Sequence, residues 1–123
     1  KGDVREILRQ EVAPETVSVF HIYFPDPWPK RRHRRRRLLT AEFLNFLYES
    51  LTAGGLIEIA TDFEDYFLEI RESAAQSATK SGAVWKQTRE SVNERLFTAV
   101  AQTNYELKYQ KEARPIYYLE LRK

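Results

Sequence analysis

The run Val17-Ser18-Val19-Phe20-His21-Ile22-Tyr23-Phe24-Pro25-Asp26-Pro27-Trp28-Pro29 sets the reading of the whole chain. Residues 17–24 are rich in β-branched and aromatic side chains and nearly continuous in apolar character. That suits a strand buried on both faces of a parallel sheet. Pro25, Pro27 and Pro29 then forbid further strand pairing. The segment therefore reads as a buried strand that ends at a stiffened turn carrying one carboxylate, Asp26. Each proline fixes its own φ and biases the residue before it to extended conformations, so Asp26 is presented rigidly, with Trp28 beside it.

Working outward, Leu39, Phe43, Phe46, Leu47 and Leu51 recur at helical spacing, which predicts an amphipathic helix over about 38–52 with Gly54-Gly55 as its stop. Leu56-Ile57-Glu58-Ile59-Ala60 predicts a second strand. Phe63, Phe67, Ile70 and Ala74 mark another helix, with Asp62, Glu64 and Asp65 suited to its N-terminal dipole. Residues 77–103 give a weaker pattern: a loop around Gly82, a short strand near Val84-Trp85, then polar sequence to about Arg95. Residues 116–121 read as a final strand. Upstream, Asp3 to about Gln10 reads as a short helix with Val4, Ile7 and Leu8 on one side, Asp3 as its cap and Glu6 completing a capping box. Strand, helix, strand, helix and a late strand is the order of a three-layer α/β sheet. Ligands in such sheets sit outside the carboxyl ends of the strands. Both Phe24-Pro25-Asp26 and Ala60-Thr61-Asp62 end a strand in a carboxylate, and parallel strands bring the two acids to one rim.

Composition narrows the function classes. At 123 residues the chain forms at most one domain, and 42% hydrophobic content is enough for a core. Charged content of 31%, with no apolar run long enough to span a bilayer, argues against a membrane protein. Without cysteine there is no disulfide, thiolate metal site or cysteine nucleophile, and His21 and His33 are too few for a histidine-built metal site. Residues 1–20 do not read as a signal peptide. With no Met even at position 1, Lys1 reads as lying inside something longer.

Charge is concentrated in Lys30-Arg31-Arg32-His33-Arg34-Arg35-Arg36-Arg37. This run holds seven of the 20 Lys and Arg; without it, 13 basic residues face 18 acidic ones, a net charge of −5. Local positive charge of this kind attracts a polyanion. Arginine dominates the run, and guanidinium grips phosphate bidentately and stacks on bases. A solvated tail or a nuclear localisation signal is the plainer alternative. Thr61-Asp62-Phe63-Glu64 and Thr103-Asn104-Tyr105-Glu106 both fit Thr-x-x-Glu, the pattern of a capping box, although a helix start also offers free N–H groups to a ligand. His21 and Trp85 read as packing residues.

Phe24-Pro25-Asp26-Pro27-Trp28-Pro29-Lys30-Arg31-Arg32-His33 resembles the signature of the tRNA (guanine-N7-)-methyltransferase family. Ala60-Thr61-Asp62, Thr103-Asn104-Tyr105-Glu106 and Pro115-Ile116-Tyr117-Tyr118-Leu119-Glu120 occur in that family's order, so the resemblance runs through essentially the whole chain. It implies the C-terminal portion of a Rossmann-like class I S-adenosylmethionine-dependent methyltransferase sheet: residues 1–123 are a partial domain without the glycine-rich donor loop. It also implies a cytoplasmic enzyme with S-adenosylmethionine as methyl donor and a guanine of the tRNA variable loop as acceptor. Under the resemblance Asp26 is the catalytic acid, and Asp3 and Asp26 bind the donor. Lys30, Asp62, Thr103, Asn104, Tyr105 and Glu106 contact substrate, while Arg32, His33, Arg34, Arg35, Arg36 and Arg37 contact RNA. No metal is implied, because guanine N7 attacks with a lone pair and charge is created neither on oxygen nor from water. The sheet edge left by the missing half is a candidate for self-association. A noncatalytic RNA-binding module is the alternative. A methyltransferase acting on exocyclic amines is less well matched, since Asp26-Pro27-Trp28 lacks the second proline of that motif.

Overall fold

The computed structural model of the chain describes residues 4–80, 84–96, 104–112 and 114–123. In chain order these form α1 (Val4–Glu11), β1 (Val17–Tyr23), a 3-10 helix (Arg31–Arg36), α2 (Ala41–Ser50), β2 (Leu51–Thr61), α3 (Glu64–Lys80), β3 (Gln87–Val92), α4 (Asn104–Lys111) and β4 (Tyr117–Arg122). The sheet order is β1-β2-β4-β3, with β1 and β2 parallel and β4 antiparallel to both of its neighbours. The chain thus makes the parallel α/β pairing expected from the buried-strand pattern, then returns its last described strand into the sheet.

Strand alternation separates the two faces. Phe20 pairs with Ile57 and Ile57 with Leu121, while Ile22 pairs with Ile59 and Ile59 with Leu119. This apolar face receives Leu39, Phe43, Leu44 and Leu47 from the α2 region and Tyr66, Phe67, Ile70 and Ala74 from α3, all in one buried cluster. Complete burial of such side chains stabilises by about 1.5–3 kcal/mol each, so this layer dominates the packing energy. The opposite face carries a row of charge: His21 beside Glu58, Glu58 beside Glu120, Glu120 beside Arg89. Two carboxylates directly opposite each other repel. Each is drawn to its own outer partner, Glu58 to His21 at 2.7 Å and Glu120 to Arg89 through two 3.0 Å bonds. α4 meets this face at Tyr118, whose hydroxyl donates to Glu106. The described residues therefore build two full layers with a partial third, where three layers are expected.

Several local expectations change. β1 is not buried on both faces: Ser18, Val19 and His21 are exposed, because β1 is an edge strand with a polar second face. His21 is accordingly not a core residue: its ring lies on the polar face, with Nδ1 2.7 Å from the Glu58 carboxylate. α2 starts at Ala41, since Thr40 caps it by accepting from Phe43 N at 3.2 Å, and it ends at Ser50, where Leu51 passes straight into β2. Gly54-Gly55 therefore lies inside β2 and does not stop the helix. The register slips there, Val17 facing Leu51 but Val19 facing Leu56. Gly54 has φ of +80°, and a Cβ on Gly55 would stand 2.9 Å from the Ser18 carbonyl oxygen. Glycine is needed for both the turn and the close approach. The strand expected at Val84-Trp85 forms instead at Gln87–Val92, a polar edge strand specified by its pairing with β4. Trp85 is buried just before it, with its ring edge-on to Tyr48 at 4.9 Å. Among the described residues no helix is long and apolar enough to cross a membrane.

Candidate active site

The β1–β2 ladder ends where Tyr23 faces Ala60 and Phe24 N donates to Ala60 O at 2.7 Å. Two residues beyond Phe24 comes Asp26; two beyond Ala60 comes Asp62. Since the strands are parallel neighbours, both acid-bearing loops leave the same rim. Phe24 adopts φ of +53° and Trp28 φ of +43°. Left-handed conformations at bulky residues cost about 1–3 kcal/mol and persist where surroundings enforce them. They bracket Pro25-Asp26-Pro27 and swing it off the sheet, leaving Asp26 exposed.

The basic run coils into the 3-10 helix that follows. Lys30 precedes it in an extended conformation and its carbonyl accepts from His33 N at 2.8 Å. Lys30, Arg31, Arg32, Arg34, Arg35 and Arg36 are exposed. Six consecutive cationic or titratable side chains repel one another, and three features offset this. Arg34, Arg35 and Arg36 lie in the last turn, at the negative end of the short helix. Arg34 pairs with Asp65 at 3.1 Å. Trp28 takes the Arg36 guanidinium over its ring at 5.1 Å and His33 edge-on at 5.7 Å.

Arg37 corrects the expectation that the run contacts RNA throughout. Its side chain has 0% exposure and turns inward. Nε donates to Pro27 O at 2.7 Å, Nη1 to Glu69 at 2.9 Å and Nη2 to Asp65 at 3.0 Å, with the Tyr66 ring 4.9 Å below the guanidinium. Nothing in an unbroken series of arginines distinguishes it; only the fold does.

Asp62 follows β2, with Thr61 Oγ1 accepting from Phe63 N at 3.2 Å, and its carboxylate accepts from Arg114. Thr61 therefore caps the entry to α3, while Glu64, the other member of the expected capping box, interacts with the Tyr117 hydroxyl. Of the expected substrate segment, Thr103 lies outside the described residues, as does Asp3, and Asn104 and Tyr105 open α4. Glu106 is 2% exposed and accepts from Arg95 Nε at 2.9 Å and from Tyr118 OH at 2.7 Å. Tyr118 faces Ala60 in the sheet, so this buried carboxylate is anchored one strand from the Asp62 loop. Burial, reinforced by Glu106, pushes the Tyr118 hydroxyl well above the ordinary tyrosine pKa; burial and then Glu58 do the same to Tyr23, whose hydroxyl donates to Glu58 at 3.0 Å. Both phenols stay neutral donors. Residue sequence alone did not single out Arg95, Arg114 or Glu58. For Glu58 a signal existed, because a carboxylate between Ile57 and Ile59 must face away from the apolar layer.

One rim of the sheet therefore gathers a strand-end acid, a strained proline turn and a short cationic helix. Residues 1–119 match the family described as "Putative methyltransferase", and the chain belongs to that family. Among curated proteins it is 46% identical over 70 residues, 57% of this chain, to a tRNA (guanine-N(7)-)-methyltransferase of Bordetella pertussis. It is 47% identical over 70 residues, 57% of this chain, to that of Nitrosospira multiformis, and 42% identical over 84 residues, 66% of this chain, to that of Thiobacillus denitrificans. The matched segments span 28%, 31% and 37% of those relatives, so the chain corresponds to about a third of their length. A solved SAM-dependent O-methyltransferase from Thermotoga maritima overlaps 99% of this chain and 37% of its own, at 17% identity and a TM-score of 0.49.

Proposed function

We propose that the protein carrying this chain transfers a methyl group from S-adenosylmethionine to N7 of a guanine in the variable loop of tRNA, in the cytoplasm. The observation that carries this reading is the departure of the Asp26 and Asp62 loops from one rim of the sheet, directly beside an exposed arginine-rich helix. The 40%-and-higher identity to relatives so named agrees with it.

The residues present fit one side of a donor site. The donor is cationic at sulfur, and an exposed carboxylate on a rigid turn suits a cation. Asp26, with Asp3 outside the described residues, would hold it. Gly54 and Gly55 lie toward the opposite end of β2 from Asp62 and are engaged by the sheet, so they cannot supply a donor loop. The bound donor supplies an electrophilic methyl group. With the donor bound, its methyl group would pass to the lone pair of guanine N7 as the sulfonium is released as a neutral thioether, which would leave the positive charge on the purine. Asp26 accepts from N–H groups of the base and stabilises that charge; a fixed carboxylate needs no reorganisation as the charge develops. Asp62 assists from the adjacent loop. Lys30, Arg31, Arg32 and Arg35, exposed and without an ion pair among the described residues, hold phosphates.

The test is Asp26→Ala in the intact protein, with labelled donor and tRNA, followed by nuclease digestion to locate the methyl group. Methyl transfer to guanine N7 should fall by about 100- to 1,000-fold with tRNA affinity retained. Near-normal transfer would remove Asp26 from this role, a methyl on an exocyclic amine would change the acceptor, and tight RNA binding with no transfer by the parent protein would leave a binding module.

A further inference from the structure

We infer that Arg37 is the positioning residue that sets the two acid-bearing loops against each other; the catalytic part of this inference rests on the function proposed above. The guanidinium joins elements that lie far apart in sequence. One arm grips the carbonyl of Pro27, the residue after Asp26, at 2.7 Å. The other two grip Glu69 at 2.9 Å and Asp65 at 3.0 Å, both in the first turns of α3, the helix that begins two residues after Asp62. Tyr66 closes the site from below with its ring and accepts from Leu39 N at 3.0 Å, so the chain just past Arg37 is fixed to the same helix.

The Pro27 carbonyl lies in a turn flanked by two left-handed residues, Phe24 and Trp28. Such a turn requires an external constraint, and Arg37 Nε is the bond that supplies one from α3. A planar fork with fixed directions can hold three acceptors in a defined relation; a lysine ammonium, a single charge on a flexible stem, cannot. Burial makes these bonds stronger than solvent-exposed ones and removes Arg37 from phosphate contact. Arg31, Arg32 and Arg35 before it bind the substrate, whereas Arg37 ties the Asp26 turn to the helix that follows the Asp62 loop.

The experiment uses the intact protein in a Trp85→Phe background, so that Trp28 is the reporter from this segment, with any other tryptophan likewise replaced. Arg37→Gln, Arg37→Lys and Glu69→Gln are compared with Arg35→Gln. At a temperature where all are folded, Arg37→Gln should raise the collisional quenching of Trp28 and lower kcat by about 10- to 100-fold, the penalty for misplacing a reacting group by about 1 Å. The salt dependence of tRNA binding should not change. Arg37→Lys should not rescue kcat. Glu69→Gln, which removes the charge of one acceptor at a half-exposed position while keeping an amide oxygen that can still accept, should give a smaller change in the same direction. Arg35→Gln should reduce the salt slope by about one and leave the quenching of Trp28 unchanged.

A drop in salt slope for Arg37→Gln equal to that for Arg35→Gln overturns the inference, because Arg37 would then be a phosphate contact. A lower melting temperature with unchanged Trp28 quenching and unchanged kcat overturns it as well, leaving a stabilising residue only. If the parent protein proves to transfer no methyl group, the proposed function fails, while the quenching and salt-slope arms still decide whether Arg37 anchors the turn.

Discussion

Salt titration of tRNA binding separates the cations that face solvent from those the fold has engaged. Lys30, Arg31, Arg32 and Arg35 are exposed and form no ion pair among the described residues; Arg34 is held by Asp65, Arg36 lies over Trp28 and Arg37 is buried. Each phosphate contact contributes about 0.7 to 0.9 to the slope of log K against log salt concentration. The four free cations together should therefore account for a slope of about −3 to −3.5, so that raising salt from about 50 to 200 mM weakens their contribution by roughly 50- to 150-fold. Were all seven Lys and Arg of the run to contact phosphate, the same fourfold rise would cost roughly 1,000-fold or more. Fluorescence anisotropy of labelled tRNA across a KCl series measures this. Comparison of the parent with a variant in which Lys30, Arg31, Arg32 and Arg35 are all glutamine isolates the term from other basic surfaces of the intact protein. A slope shallower by about 3 is expected. A change smaller than about 1 would refute the placement of these side chains in the RNA interface.

Other outcomes follow from the sheet. Gly55→Ala should destabilise by about 1–3 kcal/mol, since its Cβ meets backbone oxygens of Ser18 and Thr52 at 2.9 and 3.0 Å, as overpacking does elsewhere. Gly54→Ala, in open space but at φ of +80°, should cost about 1 kcal/mol for the left-handed backbone; urea unfolding that found either substitution without cost would contradict the bulge. Burial raises the pKa of Tyr23, Tyr66 and Tyr118. The folded state therefore keeps these protons after the unfolded state has lost them. Their contribution is fully present below the ordinary tyrosine pKa of about 10 and is lost as pH rises beyond it. Urea midpoints should stay level up to about pH 10 and then fall, and Tyr23→Phe should flatten that fall; an unchanged slope would count against the Tyr23 environment.

Much of the scaffold could be read from the residues because the relevant forces are local. Prolines after β1 end pairing whatever surrounds them, and the spacing of Phe43, Leu47, Phe67 and Ile70 marks helix faces that the sheet then covers. The two rim acids were legible for the same reason: each follows a strand, and a helical crossover makes the strands parallel. What escaped reading depends on partners distant in sequence. β3 is polar throughout and becomes a strand because β4 offers it hydrogen bonds. Gly54-Gly55 has the composition of a helix stop, yet its role is set by the Ser18 carbonyl across the ladder. His21 sits among apolar residues, and its exposure follows from Glu58 on the neighbouring strand. Arg37 is chemically identical to the arginines before it, so only the position of α3 distinguishes it. Asp62's partner, Arg114, lies in a segment with no periodic signal at all.

β4 sits between β2 and β3, although both precede it in the chain. During synthesis on a ribosome, β2 and β3 emerge without the ribbon that joins them, and the apolar faces of α2 and α3 wait against an unfinished surface. The sheet can close only after Arg122 has cleared the exit tunnel. A nascent chain stalled before that point would leave the edge of β2 that β4 later occupies without its hydrogen-bond partners, while α2 and α3 already lie within reach of its apolar face.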